Sequence, residues 1–173
     1  KLGVGSLLIC AAVQENASAK EHTVITKTDF PAPANLIEPP ARVFIQHEDE
    51  RLQLADRQGS RFTSDKAEVN FVPDANGLAV RVSCPNGPLS RVVLRWETTF
   101  PNDTIFLGDA WERSYGDLQW RFHPPERIRP WYFAAHETAS GRAFVAGVKT
   151  QPAALCFWTV DAAGVSLTLV DKH

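Results

Sequence analysis

The sequence predicts an all-β fold, an antiparallel β-sandwich of the supersandwich type in one domain. Three observations lead to this prediction. Apolar and polar residues alternate with a period of two along many short segments, and turn residues separate these segments about every 8–12 residues. No segment after Ala19 keeps the apolar spacing of a helix. Twelve prolines in 173 residues also favour a chain rich in turns.

The first part of the chain has the pattern of a secretory signal. Lys1 is a positive flank, the apolar run "LGVGSLLICAAV" follows it, and residues 17–19 read Ala-Ser-Ala, a small-x-small cleavage pattern. We therefore expect a signal remnant at 1–19 and a sandwich domain at 20–173, exported to the periplasm or the cell exterior. The alternative is a buried N-terminal segment of the fold itself.

The strands are expected in order from residue 41, after a proline-rich connector. "RVFIQ" and "AEVNFV" alternate, and Gly77 stands where a turn needs a positive φ. Three later segments each place their apolar residues on one face that is expected to be buried: Leu78, Val80, Val82 and Cys84; Val92, Leu94 and Trp96; Leu118, Trp120 and Phe122. The strand "PAALCFW" is apolar on both faces, so we expect it to be covered on both sides. Because the chain stops at its last strand, we expect a domain truncated at its C-terminal end.

The cysteines leave two interpretations open. Cys10 would be removed with the signal, and Cys84 and Cys156 lie on separate predicted strands. An oxidising compartment would permit a disulfide between them. Equally, both can be small buried apolar residues, since cysteine is among the residue types most often buried.

Composition argues against several classes of function. The net charge is −2, and no block of basic residues is present, so neither a nucleic-acid surface nor a membrane surface after signal cleavage is expected. No glycine-rich phosphate loop is found, and we expect no cofactor. The run "QHEDER" around His47 is interpreted as a solvated hairpin tip in preference to a metal site. We interpret His123 and His136 as structural.

One connection between predicted strands is longer than a hairpin needs. Hairpin loops usually have about two to five residues, whereas "GDAWERSYGD" runs from Gly108 to Asp117. An indole covers the apolar face of a sugar ring, and a guanidinium supplies directed donors to hydroxyl groups. We therefore predict a carbohydrate-binding site formed by Trp111, Arg113, Tyr115 and Asp109. The alternative is that the loop folds back and Trp111 covers the edge of the sandwich.

The residues around this loop resemble a known family. The stretches "FPNDTIFLGDAWERSYGDLQWR" and "RPWYFAAHETASGRAFVAGVKTQPAALCFWTVDAAGVSLTLV" resemble the N-terminal β-sandwich domain of bacterial α-galactosidase-like enzymes, in the clan that includes glycoside hydrolase family 36. The resemblance is best between about Val92 and Val170. Its motif is a tryptophan followed by charged residues, here Trp111-Glu112-Arg113.

The resemblance implies a non-catalytic domain. In that family the sandwich packs on a (β/α)₈ barrel that carries both aspartates of a retaining mechanism, and it can lend a loop residue to the sugar pocket. Trp111 best matches such a residue. A barrel needs about 250 residues, which this chain cannot hold, so it is not expected to hydrolyse galactosides alone. A free-standing carbohydrate-binding or surface-interaction sandwich is the alternative.

Overall fold

The computed structural model describes residues 5–14, 36–48, 50–74, 77–85, 89–108, 119–122, 129–148 and 154–170. Strands make up most of these ranges, and the only helical turn within them is a single 3₁₀ turn at Leu36. The strands are β1 Gly5–Gln14, β2 Arg42–Gln46, β3 Gln53–Leu54, β4 Asp56–Gln58, β5 Arg61–Thr63, β6 Glu68–Asp74, β7 Gly77–Ser83, β8 Arg91–Glu97, β9 Thr104–Gly108, β10 Arg129–Pro130, β11 Tyr132–Glu137, β12 Ala143–Val148, β13 Leu155–Asp161 and β14 Gly164–Val170.

Two antiparallel sheets are formed by these strands. The larger sheet has the order β4-β5-β6-β7-β1-β12-β11-β9, and the smaller has the order β10-β13-β14-β8-β2-β3. Both contribute their buried side chains to one hydrophobic cluster. Packing two sheets face to face is the architecture of a β-sandwich, and the predicted all-β sandwich fold is confirmed.

The core follows the alternation that the sequence predicts. Along β8 the buried side chains are Val92, Leu94 and Trp96, and the residues between them are partly or fully exposed. The indole of Trp96 lies 6.2 Å from that of Trp158 on β13, between ring centroids. The Trp158 ring also packs edge-on against Phe133 of the opposite sheet, at 5.3 Å. The contact between Trp158 and Phe133 joins the two sheets, as expected for residues on the inner faces.

Strand β1 lies inside the larger sheet. Its register pairs Gly5 with Val82 of β7 and Gln14 with Ala143 of β12. This position agrees with the alternative interpretation, in which the N-terminal segment is part of the fold itself. A segment removed by a signal peptidase cannot supply this strand to the mature protein. Cleavage after Ala19 therefore stays a prediction, and it implies a mature sheet different from the one described here.

The expected burial of β13 on both faces is wrong. Cys156, Trp158 and Val160 are buried, whereas Leu155 and Phe157 are only half-buried. The reason is that the outer face of the smaller sheet has no further layer on it within the described residues. An apolar residue on such a face is covered only by its neighbours along the sheet.

The cysteines do not form a disulfide, although both lie in the described part of the chain. Cys156 on β13 is buried, which agrees with the interpretation as a small apolar residue. Cys84 follows β7 and is half-buried, with its Sγ 3.8 Å from Nδ1 of His47. His47 itself is only 7% exposed. The predicted solvated hairpin tip is therefore wrong for His47, which is buried beside Cys84, whereas Glu48 at the turn that follows is exposed.

Candidate functional site

The ends of the long connection lie at one edge of the larger sheet. β9 ends at Gly108. The chain is next described at 119–122, where Phe106 and Arg121 form an antiparallel bridge with N···O distances of 2.7 and 3.0 Å. This bridge holds 119–122 beside β9. The predicted site residues Asp109, Trp111, Arg113 and Tyr115 lie outside the described residues.

The prediction that Trp120 belongs to the core is wrong. Its side chain is 44% exposed, and that of Phe122 is 65% exposed. Because Arg121 lies opposite Phe106, the register places Trp120 and Phe122 on the same face as the half-buried Leu107 and Ile105. That is the outer face. The segment lies at the sheet edge and neither of its faces is covered, since Gln119 and Arg121 on the other face are exposed as well.

A contact with His136 positions the Trp120 indole. The two ring centroids are 5.8 Å apart, and the planes make an angle of 59°. His136 reaches this position because it lies opposite Ile105 in the register of β11 with β9. An imidazole against an indole limits how the indole can turn, yet leaves much of its surface free for a ligand. The sequence predicts a structural role for His136, and the contact with Trp120 is one such role.

The exposed and half-buried side chains on the outer face at this edge form what we call the β9-edge surface: Trp120, Phe122, His136, Ile105 and Leu107. Large apolar side chains grouped on an outer face indicate a contact site more than scattered ones do. Sequence reasoning missed Trp120 and Phe122 as site residues. Their position in the sequence could have indicated it, because they come directly after the overlong connection. A segment at the edge of a sheet need not be covered by the second sheet.

A second feature is an open groove of about 950 Å³ on the outer face of the smaller sheet. Phe44 and Val93 contribute apolar surface, and Arg95 contributes a guanidinium. Nη1 and Nη2 of Arg95 donate to the two carboxylate oxygens of Asp161 at 2.7 and 2.6 Å, and Nη1 also donates to Oγ of Ser166 at 3.0 Å. Since the guanidinium is matched by a carboxylate, the groove offers no unbalanced positive charge for an anion at this point.

The ion pair in the groove changes the acidity of Asp161. The hydrogen bonds from Arg95 lower the pKa of the Asp161 carboxyl below its usual value, and the backbone N–H of Ala163 adds to the same effect. A lowered pKa keeps the carboxylate charged and hydrogen-bonded. This makes Asp161 a structural partner of Arg95 and not a proton donor near neutral pH.

The buried carboxylate of Glu137 is also held by structural partners. Nη2 of Arg142 donates to Oε2 of Glu137 at 2.7 Å, and Oγ of Ser140 donates to the same oxygen at 2.7 Å. These contacts close the hairpin between β11 and β12. The pair satisfies the rule that a buried charge needs a charged or hydrogen-bonding partner.

Two kinds of feature are absent from the described ranges. No group of three or more His, Cys, Asp or Glu side chains there is arranged to hold a metal ion. Within the same ranges, no helix is long and apolar enough to span a bilayer.

The fold and the β9-edge surface define an all-β sandwich with exposed aromatic residues at one sheet edge. Comparison with protein-family models gave no match. Comparisons with curated proteins and with solved structures gave no match either. The resemblance to α-galactosidase-like enzymes therefore stays a prediction from the residues of the loop and of the strands that follow it.

Proposed function

We propose that this chain is a non-catalytic carbohydrate-contacting β-sandwich, the accessory domain of an α-galactosidase-like glycoside hydrolase. In this proposal the sandwich packs against a catalytic (β/α)₈ barrel and lends Trp111 to the sugar pocket, with Arg113, Tyr115 and Asp109 beside it. The ligand is a galactoside. The catalytic carboxylates belong to the barrel, and this chain supplies contacts.

One observation supports this proposal most directly. The connection that carries Trp111 starts and ends at the β9 edge, where Trp120 and Phe122 expose their rings on the outer face. Neither ring is needed for the core, which closes around Trp96 and Trp158. Aromatic rings that remain in water cost solvation free energy, so a contact that covers them is favoured.

The chemistry of the β9-edge surface suits a sugar. The apolar C–H face of a galactose ring packs on an indole, and nearby donors then bind the hydroxyl groups. The ring of His136, whose centroid lies 5.8 Å from that of Trp120, carries nitrogens that can bond to such hydroxyl groups. A free-standing carbohydrate-binding sandwich is the second candidate. It is favoured by the fact that Trp120, Phe122 and His136 all belong to this chain and need no barrel to form a surface.

The test is binding of galactose-containing oligosaccharides to the purified chain by isothermal titration calorimetry. We expect Trp120→Ala to weaken binding by roughly fivefold to fiftyfold, the range that one aromatic contact supplies. Leu54→Ala is the matched control, because Leu54 is an exposed apolar residue of the smaller sheet. If the wild-type chain binds no galactoside, or if Leu54→Ala weakens binding as much as Trp120→Ala does, the proposal fails.

A different measurement separates the two candidates. If the coding sequence continues beyond His173 into about 250 residues of alternating strands and helices, the accessory domain is favoured. In that longer enzyme, Trp111→Ala is expected to lower kcat/KM about tenfold to a hundredfold, since the lost contact acts in the transition state. An unchanged kcat/KM would show that Trp111 does not contact the substrate in the pocket.

A further inference from the structure

Trp131 has an unusual backbone. Its φ is +67°, in the left-handed region that residues other than Gly, Asn and Asp seldom adopt. The residue connects β10 of the smaller sheet with β11 of the larger sheet, so the chain changes sheets here. Such a backbone persists only where its surroundings hold it, and such residues cluster at functional sites.

Three hydrogen bonds hold the backbone of Trp131. Its N–H donates to the carbonyl of Cys156 at 3.3 Å, and its carbonyl accepts from the N–H of Val148 at 2.8 Å. The same carbonyl accepts from Nε1 of the buried Trp158 at 3.2 Å. These bonds come from both sheets and explain why the chain takes this turn. They involve only main-chain atoms of residue 131, so a glycine would make them with less strain.

Core packing accounts for only part of the Trp131 side chain. Trp131 is 36% exposed, whereas the core tryptophans Trp96 and Trp158 are at most 2% exposed. Where the corner of a β-sandwich needs a left-handed backbone conformation, the residue there is normally glycine. Here the chain carries the largest side chain at that position and leaves more than a third of its surface in water.

The register places Trp131 near the ends of the long connection. Phe133 pairs with Gly108, the last described residue of β9, and β11 runs antiparallel to β9. Trp131 precedes Phe133 by two residues, about 7 Å along a strand. It therefore lies at the end of the sheet from which residues 109–118 depart. Gln119, where the described chain resumes, lies at the same end, because Arg121 pairs with Phe106.

We propose that the Trp131 indole is a second aromatic contact for the carbohydrate bound at the β9-edge surface, held in place at the expense of backbone strain. This inference rests on the proposed function and names a residue of its site. Trp120 and Trp131 would then approach the ligand from different strands, which suits an oligosaccharide of more than one ring better than a single galactose.

The test measures stability and binding for the same variant. Trp131→Gly removes the indole and permits the left-handed backbone. Because relief of the left-handed strain offsets the lost contacts of the partly covered indole, we expect its midpoint of denaturant unfolding to stay close to that of the wild type. Its affinity for a galactose-containing oligosaccharide is expected to fall about fivefold to fiftyfold by calorimetry. Trp131→Phe keeps an aromatic ring and should retain most of the affinity. Asparagine also tolerates the left-handed backbone conformation and has no indole, so Trp131→Asn should behave like the glycine variant.

The outcomes are distinguishable. If Trp120→Ala weakens binding and Trp131→Gly and Trp131→Asn do not, this inference is overturned while the proposed function stands. If both variants unfold well below the wild-type midpoint, Trp131 is retained for packing, and the inference is again overturned. If the wild-type chain binds no galactoside, the proposed function and this inference fail together.

Discussion

The indole of Trp120 lies against the imidazole of His136, with ring centroids 5.8 Å apart and ring planes inclined by 59°. Trp120 belongs to a short segment held by a single bridge to β9, and His136 belongs to the neighbouring strand β11. The contact therefore reaches across β9 on the outer face of the larger sheet. It holds a large aromatic ring at the surface, next to both ends of the connection that carries the predicted carbohydrate-binding residues.

Truncating Trp120 and truncating Trp158 should have different effects on stability. Trp120→Ala is expected to lower the free energy of unfolding by about 1 kcal/mol or less, because the side chain is 44% exposed. Trp158→Ala should cost roughly 3–5 kcal/mol, since it leaves a cavity between the two sheets. Denaturant unfolding of both variants measures the difference. Equal costs would mean that Trp120 is packed into the core after all.

Gly164 is expected to tolerate no side chain. Its φ is +153°, and a Cβ built there would lie 2.0 Å from the carbonyl oxygen of Trp96. Gly164→Ala must push β14 away from β8 at a buried position, so we expect a loss of at least about 3 kcal/mol or a failure to fold. Gly59→Ala is the matched control, because Gly59 also has a positive φ but no atom within 4 Å of a Cβ.

The control should lose only about 1–2 kcal/mol, the cost of the left-handed backbone alone. Thermal unfolding followed by circular dichroism checks both variants. If Gly164→Ala and Gly59→Ala melt together, the close approach to the Trp96 carbonyl does not constrain the fold.

The Arg95–Asp161 pair should make stability depend on pH at the acid end. Hydrogen bonds from Arg95 lower the pKa of Asp161 in the folded state. The pair therefore contributes stability at pH values above the unfolded Asp pKa of about 3.9, and this contribution is lost as the pH falls through the lower folded value. Because the Asp161 side chain is 41% exposed, we expect its contribution to be about 1 kcal/mol or less.

Urea unfolding of the wild type and of Asp161→Asn at pH 7 and near pH 2 tests this expectation. The difference between the two proteins should be present at pH 7 and shrink towards zero near pH 2. Glu97→Gln serves as the control for an ion pair whose side chains are both more than half exposed. A difference that grows as the pH falls would contradict the direction of the pKa change.

Removing the carboxylate of Glu137 should destabilise the hairpin between β11 and β12. The side chain of Glu137 is 6% exposed and that of Arg142 is 32% exposed, so the arginine can regain only part of its hydration. We expect Glu137→Ala to cost about 2–4 kcal/mol. Ser140→Ala removes one donor to the same oxygen and should cost about 1 kcal/mol. Equal and negligible costs in denaturant unfolding would show that the buried pair adds nothing to stability.

Deleting residues 1–19 tests the position of β1. Its removal leaves β7 and β12 without their shared neighbour, and unpaired strand edges favour aggregation. We expect the shortened chain to unfold at least about 3 kcal/mol more readily or to aggregate. N-terminal sequencing of exported protein is the complementary measurement. A stable mature chain that begins near Lys20 would support signal cleavage and would require another arrangement of the larger sheet.

The sequence by itself determined the fold class and most of the core. Period-two alternation along β8 identified Val92, Leu94 and Trp96 as residues of one face, and the structure buries all three. It did so because the alternation of side chains across a strand is a local property of the backbone. The same reasoning identified the turn at Gly77, whose φ is positive.

Only the tertiary structure decided which faces are covered. Trp120 alternates as Trp96 does, but it lies beyond β9 at a sheet edge and is exposed. His47 reads as part of a charged turn, but Cys84 from a distant strand approaches its ring. Trp131 shows no sequence sign of its left-handed backbone, which arises because partners on both sheets bond to its main chain. Burial and strain depend on neighbours that are distant in the sequence, and periodicity carries no information about those neighbours.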